Sequence, residues 1–98
     1  GYPIAPSEVT VNLAGYRLLG ASRLEEAIAV FRYNVAQFPA SPNVHDSLGE
    51  ALEQAKRLEE ARESYARAAE LAQKTGDPLM GIFARNRDRA AQALGNRR

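Results

Sequence analysis

The pentamer RLEEA occurs twice in this chain, at residues 23–27 and 57–61, so the two copies are 34 residues apart. When residues 8–41 are placed over residues 42–75, eight of the 34 positions are identical, and Phe31 falls on Tyr65. An internal period of roughly 20 to 50 residues is typical of proteins built from stacked supersecondary units. The sequence therefore predicts two copies of one structural unit.

Each unit has the apolar periodicity of two helices separated by a short polar break. In the second unit, apolar residues recur at helical spacing over residues 44–55 and again over residues 58–69. Beyond it, the pattern predicts a fifth helix that begins at residues 77–78 and runs to Leu94, with Gly95 just past its end. The chain is therefore expected to be helical almost throughout.

Several residues have known preferences for the ends of helices. Ser41 followed by Pro42 is a favoured combination of N-cap and first-turn proline. Ser22 with Glu25 forms the S-x-x-E pattern of a capping box, which predicts that a helix begins there. Gly76 is placed to end the fourth helix.

Small residues recur at equivalent places in the two units. Gly15 and Gly49 are expected to let the paired helix approach closely, since a glycine has no side chain to hold it away. Ala27 and Ala61 are expected to fill the helix crossing without forcing the helices apart. Both units should therefore form tightly packed hairpins.

These residues resemble the tetratricopeptide repeat family, whose 34-residue pattern is W-x2-L-G-x2-Y, then A-x3-F, then P. The second unit matches it with His45-x2-Leu48-Gly49-x2-Leu52 and Ala61-x3-Tyr65. The first unit matches it with Val11-x2-Ala14-Gly15-x2-Leu18, Ala27-x3-Phe31 and Pro39. The chain departs from the pattern in having no tryptophan, and after Gly76 the pattern fails, since Phe83 stands where the glycine belongs.

The resemblance implies an all-α fold, a right-handed α-α superhelix of two helix-turn-helix repeats with a C-terminal capping helix. The expected divisions are an extended leader or linker at 1–7, repeat 1 at 8–41, repeat 2 at 42–75, the capping helix at 76–95 and a basic tail at 96–98. The function it implies is non-catalytic binding of a protein or peptide.

A second resemblance concerns the runs NLAGYRLLG, LEEAIAVFRYNVAQFP and SPNVHDSLGEAL. They are similar to helical-repeat tails at the C-termini of bacterial serine hydrolases, including esterase-like and β-lactamase-like enzymes. The alternative function is therefore an accessory domain that docks on or oligomerises such an enzyme, with catalysis in an upstream domain. A chain that opens with Gly1 and not with Met is compatible with that alternative.

Residues that could carry chemistry are scarce. His45, Asp46 and Ser47 are consecutive, but neighbouring helical side chains point about 100° apart and cannot converge as a triad. The chain has one histidine, no cysteine and no glycine-rich phosphate loop. We therefore expect no catalytic residue, no cofactor and no metal, and expect His45 to fill a bulky position between helices.

The charge balance and hydropathy exclude further classes of function. Thirteen basic and twelve acidic residues give a net charge of +1, and no apolar run approaches the roughly 18 residues of a membrane span. Arg85 and Arg89 share a face of the fifth helix, but no aromatic residue is interleaved for base stacking. We expect these arginines to solubilise the outer side of the cap, with neither nucleic acid nor membrane as a partner. A soluble protein of the cytoplasm or periplasm is expected, with the compartment left open.

The family resemblance implies that the first helix of each unit lines a concave, peptide-binding groove. The groove positions are then Val9, Asn12, Leu13, Tyr16 and Leu19 in the first unit, and Asn43, Asp46, Ser47, Glu50 and Glu53 in the second. The family's clamp of Lys, Arg and Asn for a terminal carboxylate is missing. Asp46, Glu50 and Glu53 would repel an anion, so a neutral or basic ligand is favoured; an ordinary solvated face is the alternative for these three.

The first helix is apolar around its whole circumference, which predicts that something covers it. Burial of Leu13, Tyr16 and Leu19 would gain roughly 1.5–3 kcal/mol for each large side chain. The candidates are a bound partner, a second copy of the chain in a homo-oligomer, or an upstream domain or segment such as the leader with Tyr2 and Ile4. The alternative is that the first helix is partly exposed only because the sequence is a piece cut from a longer protein.

Overall fold

The computed structural model describes residues 6–96, and this range contains five α-helices and no β-strand. In chain order the helices are α1 (Glu8–Gly20), α2 (Leu24–Gln37), α3 (Pro42–Gln54), α4 (Leu58–Thr75) and α5 (Met80–Gly95). The all-α prediction is confirmed. Tyr2 and Ile4 of the predicted leader, and the last two residues of the basic tail, lie outside the described residues.

The helices are layered, and α3 lies at the centre. Each helix packs against the next one along the chain, and α1 also lies beside α3. Side chains of α5 reach the other edge of α3, through hydrogen bonds from Asn86 to Asp46 and from Arg89 to Glu53. Thus α1, α3 and α5 share one surface of the molecule. No helix within residues 6–96 combines the length and apolar character needed to cross a membrane.

The two hairpins are closed by the same contact between a glycine and an aromatic ring. A Cβ placed on Gly15 would lie 2.3 Å from Cε1 of Phe31, and one on Gly49 would lie 2.6 Å from Cδ1 of Tyr65. Real Cβ atoms essentially never come that close to another atom, so only glycine fits at either position. The predicted role of the two glycines is confirmed.

Helices α1 and α3 end in the same hydrogen-bonded turn. The amides of Arg23 and Arg57 each donate to a carbonyl in the last turn of the preceding helix at 2.9 Å, and Ser22 and Lys56 have φ values of 61° and 63°. This is the Schellman arrangement, with one left-handed residue just past the helix. The predicted capping box at Ser22 is therefore wrong, since Ser22 lies in the turn that follows α1, and Arg23 is the N-cap of α2 without a side-chain hydrogen bond.

The fifth helix differs from its predicted boundaries. It begins at Met80, because a carboxylate oxygen of Asp77 accepts a hydrogen bond from the amide of Leu79 at 2.8 Å and holds the chain in a turn. Gly95 is the last helical residue and does not lie past the end. Gly76, with φ of 68°, ends α4 as predicted.

The inner face of α5 is seated on a run of small residues. The ring of Phe83 is almost fully buried and packs against Ala68, Ala69 and Ala72 of α4. Phe83 thus occupies the position where a third repeat would carry its glycine, and it fills space that such a glycine would leave open. The fifth helix therefore docks on α4 through a contact unlike those of the two hairpins.

The RLEEA copies carry ion pairs that join α2 to α4. Arg57 contacts Glu60 at 3.1 Å and Glu25 of the first copy at 3.5 Å, while Arg32 contacts Glu60 at 2.8 Å. Such exposed pairs contribute roughly 0.2–1 kcal/mol each. Glu53 lies four residues before Arg57, at the spacing of a surface ion pair, but Arg57 is engaged here and Glu53 faces α5.

Candidate functional site

Tyr16 joins three helices at the floor of a groove between α1 and α3. Its hydroxyl donates a hydrogen bond to Oγ of Ser47 on α3 at 3.2 Å. Its ring meets the ring of Phe31 on α2 edge to face, with the centroids 5.2 Å apart. Because these contacts hold the ring in place, Tyr16 is a rigid half-buried element of the groove.

Electrostatics in this groove disfavour negative charge. Burial raises the pKa of Tyr16 to about 12, and the neighbouring Glu50 carboxylate contributes to the rise. The phenol is therefore a neutral donor at physiological pH. Burial also raises the pKa of Glu50, so ionised Glu50 has lost part of its hydration, and the charge of Arg89 offsets only part of that loss.

A C-terminal cavity of about 430 Å³ opens at the end of α1. Three predicted site residues line it, namely Tyr16, Leu19 and Glu50. The other lining residues are Gly20, Ser22 and Gln54. Its polar groups are thus one carboxylate, two hydroxyls and one amide, with no basic side chain among them.

An N-terminal cavity of about 190 Å³ lies near the start of α1. Its predicted lining residues are Val9, Asn12, Tyr16, Asn43, Asp46 and Ser47, and Glu8 joins them. Here too no basic residue lines the cavity. We call the two cavities together the α1–α3 groove; Tyr16 is the one residue that both lining sets contain.

Glu8 is fixed at the N-terminal cavity by two contacts from other helices. Its carboxylate accepts a hydrogen bond from the hydroxyl of Ser41, and its backbone carbonyl accepts one from Nδ2 of Asn34 at 3.0 Å. Ser41 is the N-cap of α3 as predicted, but its hydroxyl bonds to Glu8 and makes no capping hydrogen bond. These contacts hold the first turn of α1 against the rest of the stack.

Asp46 connects the groove to α5. One of its carboxylate oxygens accepts a hydrogen bond from Nδ2 of Asn86 at 2.8 Å. Burial raises the pKa of Asp46, although the bond from Asn86 acts in the opposite direction. Within residues 6–96, the other carboxylate oxygen of Asp46 has no hydrogen-bond partner.

Glu53 already has a cationic partner within the chain. Its two oxygens accept hydrogen bonds from Arg89 at 2.9 and 2.7 Å, and Tyr65 donates to one of them at 2.7 Å. These donors lower the pKa of Glu53, and the guanidinium of Arg89 also lies 5.7 Å from the centroid of the Tyr65 ring. Glu53 thus anchors α5, and Arg89 lies on the inner side of that helix, so its predicted place on the outer side of the cap is wrong.

The remaining predicted site residues occupy different environments. Leu19 is only 6% exposed and belongs to the core between the hairpins, so just its edge reaches the C-terminal cavity. Val9 and Leu13 are 76% and 53% exposed, and Leu13 lines neither cavity. Among the large apolar side chains of α1 within the described residues, Val9 and Leu13 are therefore the two that remain exposed. That a partner, a second copy or an upstream segment covers them is still a prediction.

The consecutive residues His45, Asp46 and Ser47 point to different neighbours, as the helical geometry requires. The buried ring of His45 donates from Nε2 to the carbonyl of Pro39 at 2.8 Å, since a carbonyl can only accept. Asp46 bonds to α5, and Ser47 bonds to α1. The triad geometry is thus excluded, and His45 fills the position between helices that was predicted for it.

Sequence reasoning missed several polar residues in and beside the groove. Glu8, Ser22 and Gln54 line it, whereas Asn86 and Arg89 lie beside it and bind acids of α3. A signal did exist for the last two, because Asn86 and Arg89 share one face of α5 at the i, i+3 spacing and complement two acids of α3. No local sequence pattern pointed to Glu8, Ser22 or Gln54.

A stack of like helical hairpins with a polar groove defines a helical-repeat protein. The family model described as Tetratricopeptide repeat matches residues 18–80, most of the chain, and the chain therefore belongs to the tetratricopeptide repeat family. Such repeats are protein–protein interaction modules and are generally non-catalytic. A search of curated proteins found no match, and nothing supports the resemblance to serine hydrolase tails.

Proposed function

We propose that the α1–α3 groove binds a peptide segment of a partner protein, and that this segment is basic. The observation that carries the proposal is the lining of the two cavities. It includes the carboxylates of Glu8, Asp46 and Glu50 and no lysine or arginine. An acidic ligand would meet repulsion there, whereas a basic one would find carboxylates that form no salt bridge within residues 6–96.

The state of those carboxylates strengthens the argument. Burial raises the pKa of Asp46 and of Glu50, so their ionised forms are less favourable than they would be in water. A lysine or arginine from a ligand would offset that penalty. By contrast, Glu53 is already paired with Arg89 and has little to gain from a ligand.

The proposal is tested by titrating the ¹⁵N-labelled protein with three capped hexapeptides that differ only in carrying two Lys, two Gln or two Glu. Affinity is expected to fall in that order, to weaken with added salt, and to weaken as acid protonates Asp46 and Glu50. Amide shifts should concentrate on α1 and α3. Tightest binding of the Glu peptide, or shifts confined to α2 and α4, would contradict the proposal.

A matched pair of variants separates groove charge from total charge. Glu50→Gln removes a carboxylate from the C-terminal cavity, while Glu63→Gln removes one from an exposed position on α4. The Lys peptide should bind Glu50→Gln more weakly and Glu63→Gln as it binds the unmodified protein. Equal weakening by both variants would point to unspecific attraction.

A further inference from the structure

We infer that the groove reads two basic side chains at positions i and i+2 of an extended peptide, one on each side of Tyr16. This inference rests on the proposed function and adds the register of the ligand. It depends on the order of the lining residues along α1 and α3, on the spacing of the two acids on α3, and on the size of the cavities.

Tyr16 divides the groove into two compartments. On α1, the residues of the N-terminal cavity precede Tyr16, and those of the C-terminal cavity follow it. On α3 the order is the same, since Asp46 lines the first cavity and Glu50 the second. Each compartment therefore has its own carboxylate on α3.

The spacing of those carboxylates matches an extended chain. Asp46 and Glu50 are one helical turn apart, which is about 6 Å along the axis of α3. In an extended peptide, side chains on the same side recur every second residue, at roughly 6.6 Å. Two such side chains would straddle Tyr16, and the residue between them would point away from the groove.

Tyr16 is suited to lie between the two basic side chains of such a ligand. Its hydroxyl bonds to Ser47 and its ring packs against Phe31, so Tyr16 cannot move aside without losing both contacts. The aliphatic stems of lysine or arginine can lie against the ring on either side while their charged ends reach the acids. The smaller cavity, about 190 Å³, has room for a side chain and not for a helix of about 10 Å diameter.

The test uses capped hexapeptides of one composition, with two Lys at i and i+1, at i and i+2, or at i and i+4. Peptides this short do not form stable helices in water. By NMR titration, the i, i+2 peptide is expected to bind about fivefold more tightly than either of the others, the upper range for a partly exposed charge pair. Equal affinities would overturn the inference.

Variants show whether both compartments are used. In Asp46→Asn and in Glu50→Gln, the i, i+2 peptide should bind no better than a hexapeptide with a single Lys. In Glu63→Gln, which changes an exposed acid on α4, its preference should persist. Thermal unfolding followed by circular dichroism checks that each variant is folded. Retention of the preference in both groove variants would overturn the inference.

The outcomes separate this inference from the proposed function. If all two-Lys peptides bind the groove equally, the basic-peptide function stands and the register is wrong. If no Lys peptide shifts α1 or α3, both fail together. The last measurement uses a longer peptide that is helical in solution and carries Lys at i and i+4. If it binds more tightly than the i, i+2 hexapeptide, the ligand is a helix and the inference is wrong.

Discussion

The first hairpin, α1 with α2, and the second, α3 with α4, share the RLEEA pentamer, the glycine–aromatic contact and the Schellman turn, yet their first helices differ in burial. Helix α3 packs against both α2 and α4, and it buries Val44 and Leu48. The equivalent residues 34 positions earlier, Thr10 and Ala14, are exposed. The shared glycine–aromatic contact therefore acts within each hairpin, whereas Val44 and Leu48 are apolar because α3, unlike α1, is packed between α2 and α4.

A second difference concerns the residue three positions after the aromatic ring. In the first hairpin it is Asn34, which is fully buried, donates to the carbonyl of Glu8 at 3.0 Å and has an Oδ1 without a hydrogen-bond partner among the described residues. In the second hairpin it is Ala68, against which Phe83 packs. The same position thus holds the start of α1 in one hairpin and seats α5 in the other.

The largest expected effect is on the rings that close the hairpins. Phe31→Ala and Tyr65→Ala each remove a fully buried ring, so each should lower the free energy of unfolding by about 3–5 kcal/mol in chemical denaturation. Tyr33→Ala is the control; its ring is 45% exposed, and the change should stay within about 0.5 kcal/mol. A loss at only one of the two buried rings would break the equivalence of the hairpins.

A smaller effect is expected at the glycines that face those rings. Gly15→Ala and Gly49→Ala force the facing rings to shift, since the new Cβ would lie 2.3 and 2.6 Å from them, and each should cost about 1–3 kcal/mol. Gly20→Ala has no atom within 4 Å and should be neutral or slightly stabilising. A stabilising effect at Gly15 alone would show that α1 is held less tightly than α3.

Two acids of α3, one turn apart, should respond oppositely to pH. The pKa of Glu53 is lowered chiefly by its hydrogen bond from Arg89, so its ionised form stabilises the fold above the usual glutamate pKa, and that contribution is lost as pH falls through the lowered value. The pKa of Glu50 is raised by burial, so its favourable contribution exists in acid and is lost as pH rises through the raised value.

Glutamine substitutions measure the two effects. At pH 7, Glu53→Gln should lower the free energy of unfolding by about 1 kcal/mol, and the deficit should shrink in acid. At pH 7, Glu50→Gln should slightly stabilise the protein, and this gain should disappear near pH 4. Urea denaturation at both pH values tests this. A stability loss in Glu50→Gln at pH 7 would contradict the conclusion that burial disfavours the ionised form of Glu50.

The smallest effect is expected at the turns that the two hairpins share. Ser22→Gly and Lys56→Gly place glycine at φ values of 61° and 63°, where other residues are strained. Loss of this strain stabilises the fold, and the greater entropy of the unfolded chain opposes it. The net gain in the free energy of unfolding should be about 0.5 kcal/mol. Ala21→Gly, at φ of −88°, should destabilise instead. Thermal unfolding compares the three. Unequal gains at Ser22 and Lys56 would show that the turns are strained differently.

The sequence was most informative where a local rule or the repeat itself acts. The period and the helical patterns predicted the four helices of the two hairpins. The recurrence of small residues at equivalent places predicted that the paired helices approach closely at Gly15 and Gly49. Turn chemistry was less reliable. The S-x-x-E pattern at Ser22 failed because the left-handed turn at the end of α1 uses that residue first. The start of α5 failed because Asp77 folds the preceding residues into a turn.

The candidate site was only partly predictable. The family pattern named most residues that line the two cavities, because a repeat fixes which helix face is presented. It did not show that Leu19 belongs to the core, or that Glu53 is taken by Arg89. The burial of Leu19 depends on how the two hairpins pack together, and the pairing of Glu53 depends on how α5, which lies outside the repeat pattern, docks.

The sequence by itself determined the helices, the repeat and the close approach of the paired helices at Gly15 and Gly49, because each follows from rules that act within a few residues or from one unit copied onto the next. Only the tertiary structure decided which acidic side chains are already paired within the chain. The hydrogen bonds from Tyr16 to Ser47, from Arg89 to Glu53 and from Asn86 to Asp46 join residues 31, 36 and 40 positions apart. Such contacts depend on where whole helices come to rest, and no local pattern encodes that distance.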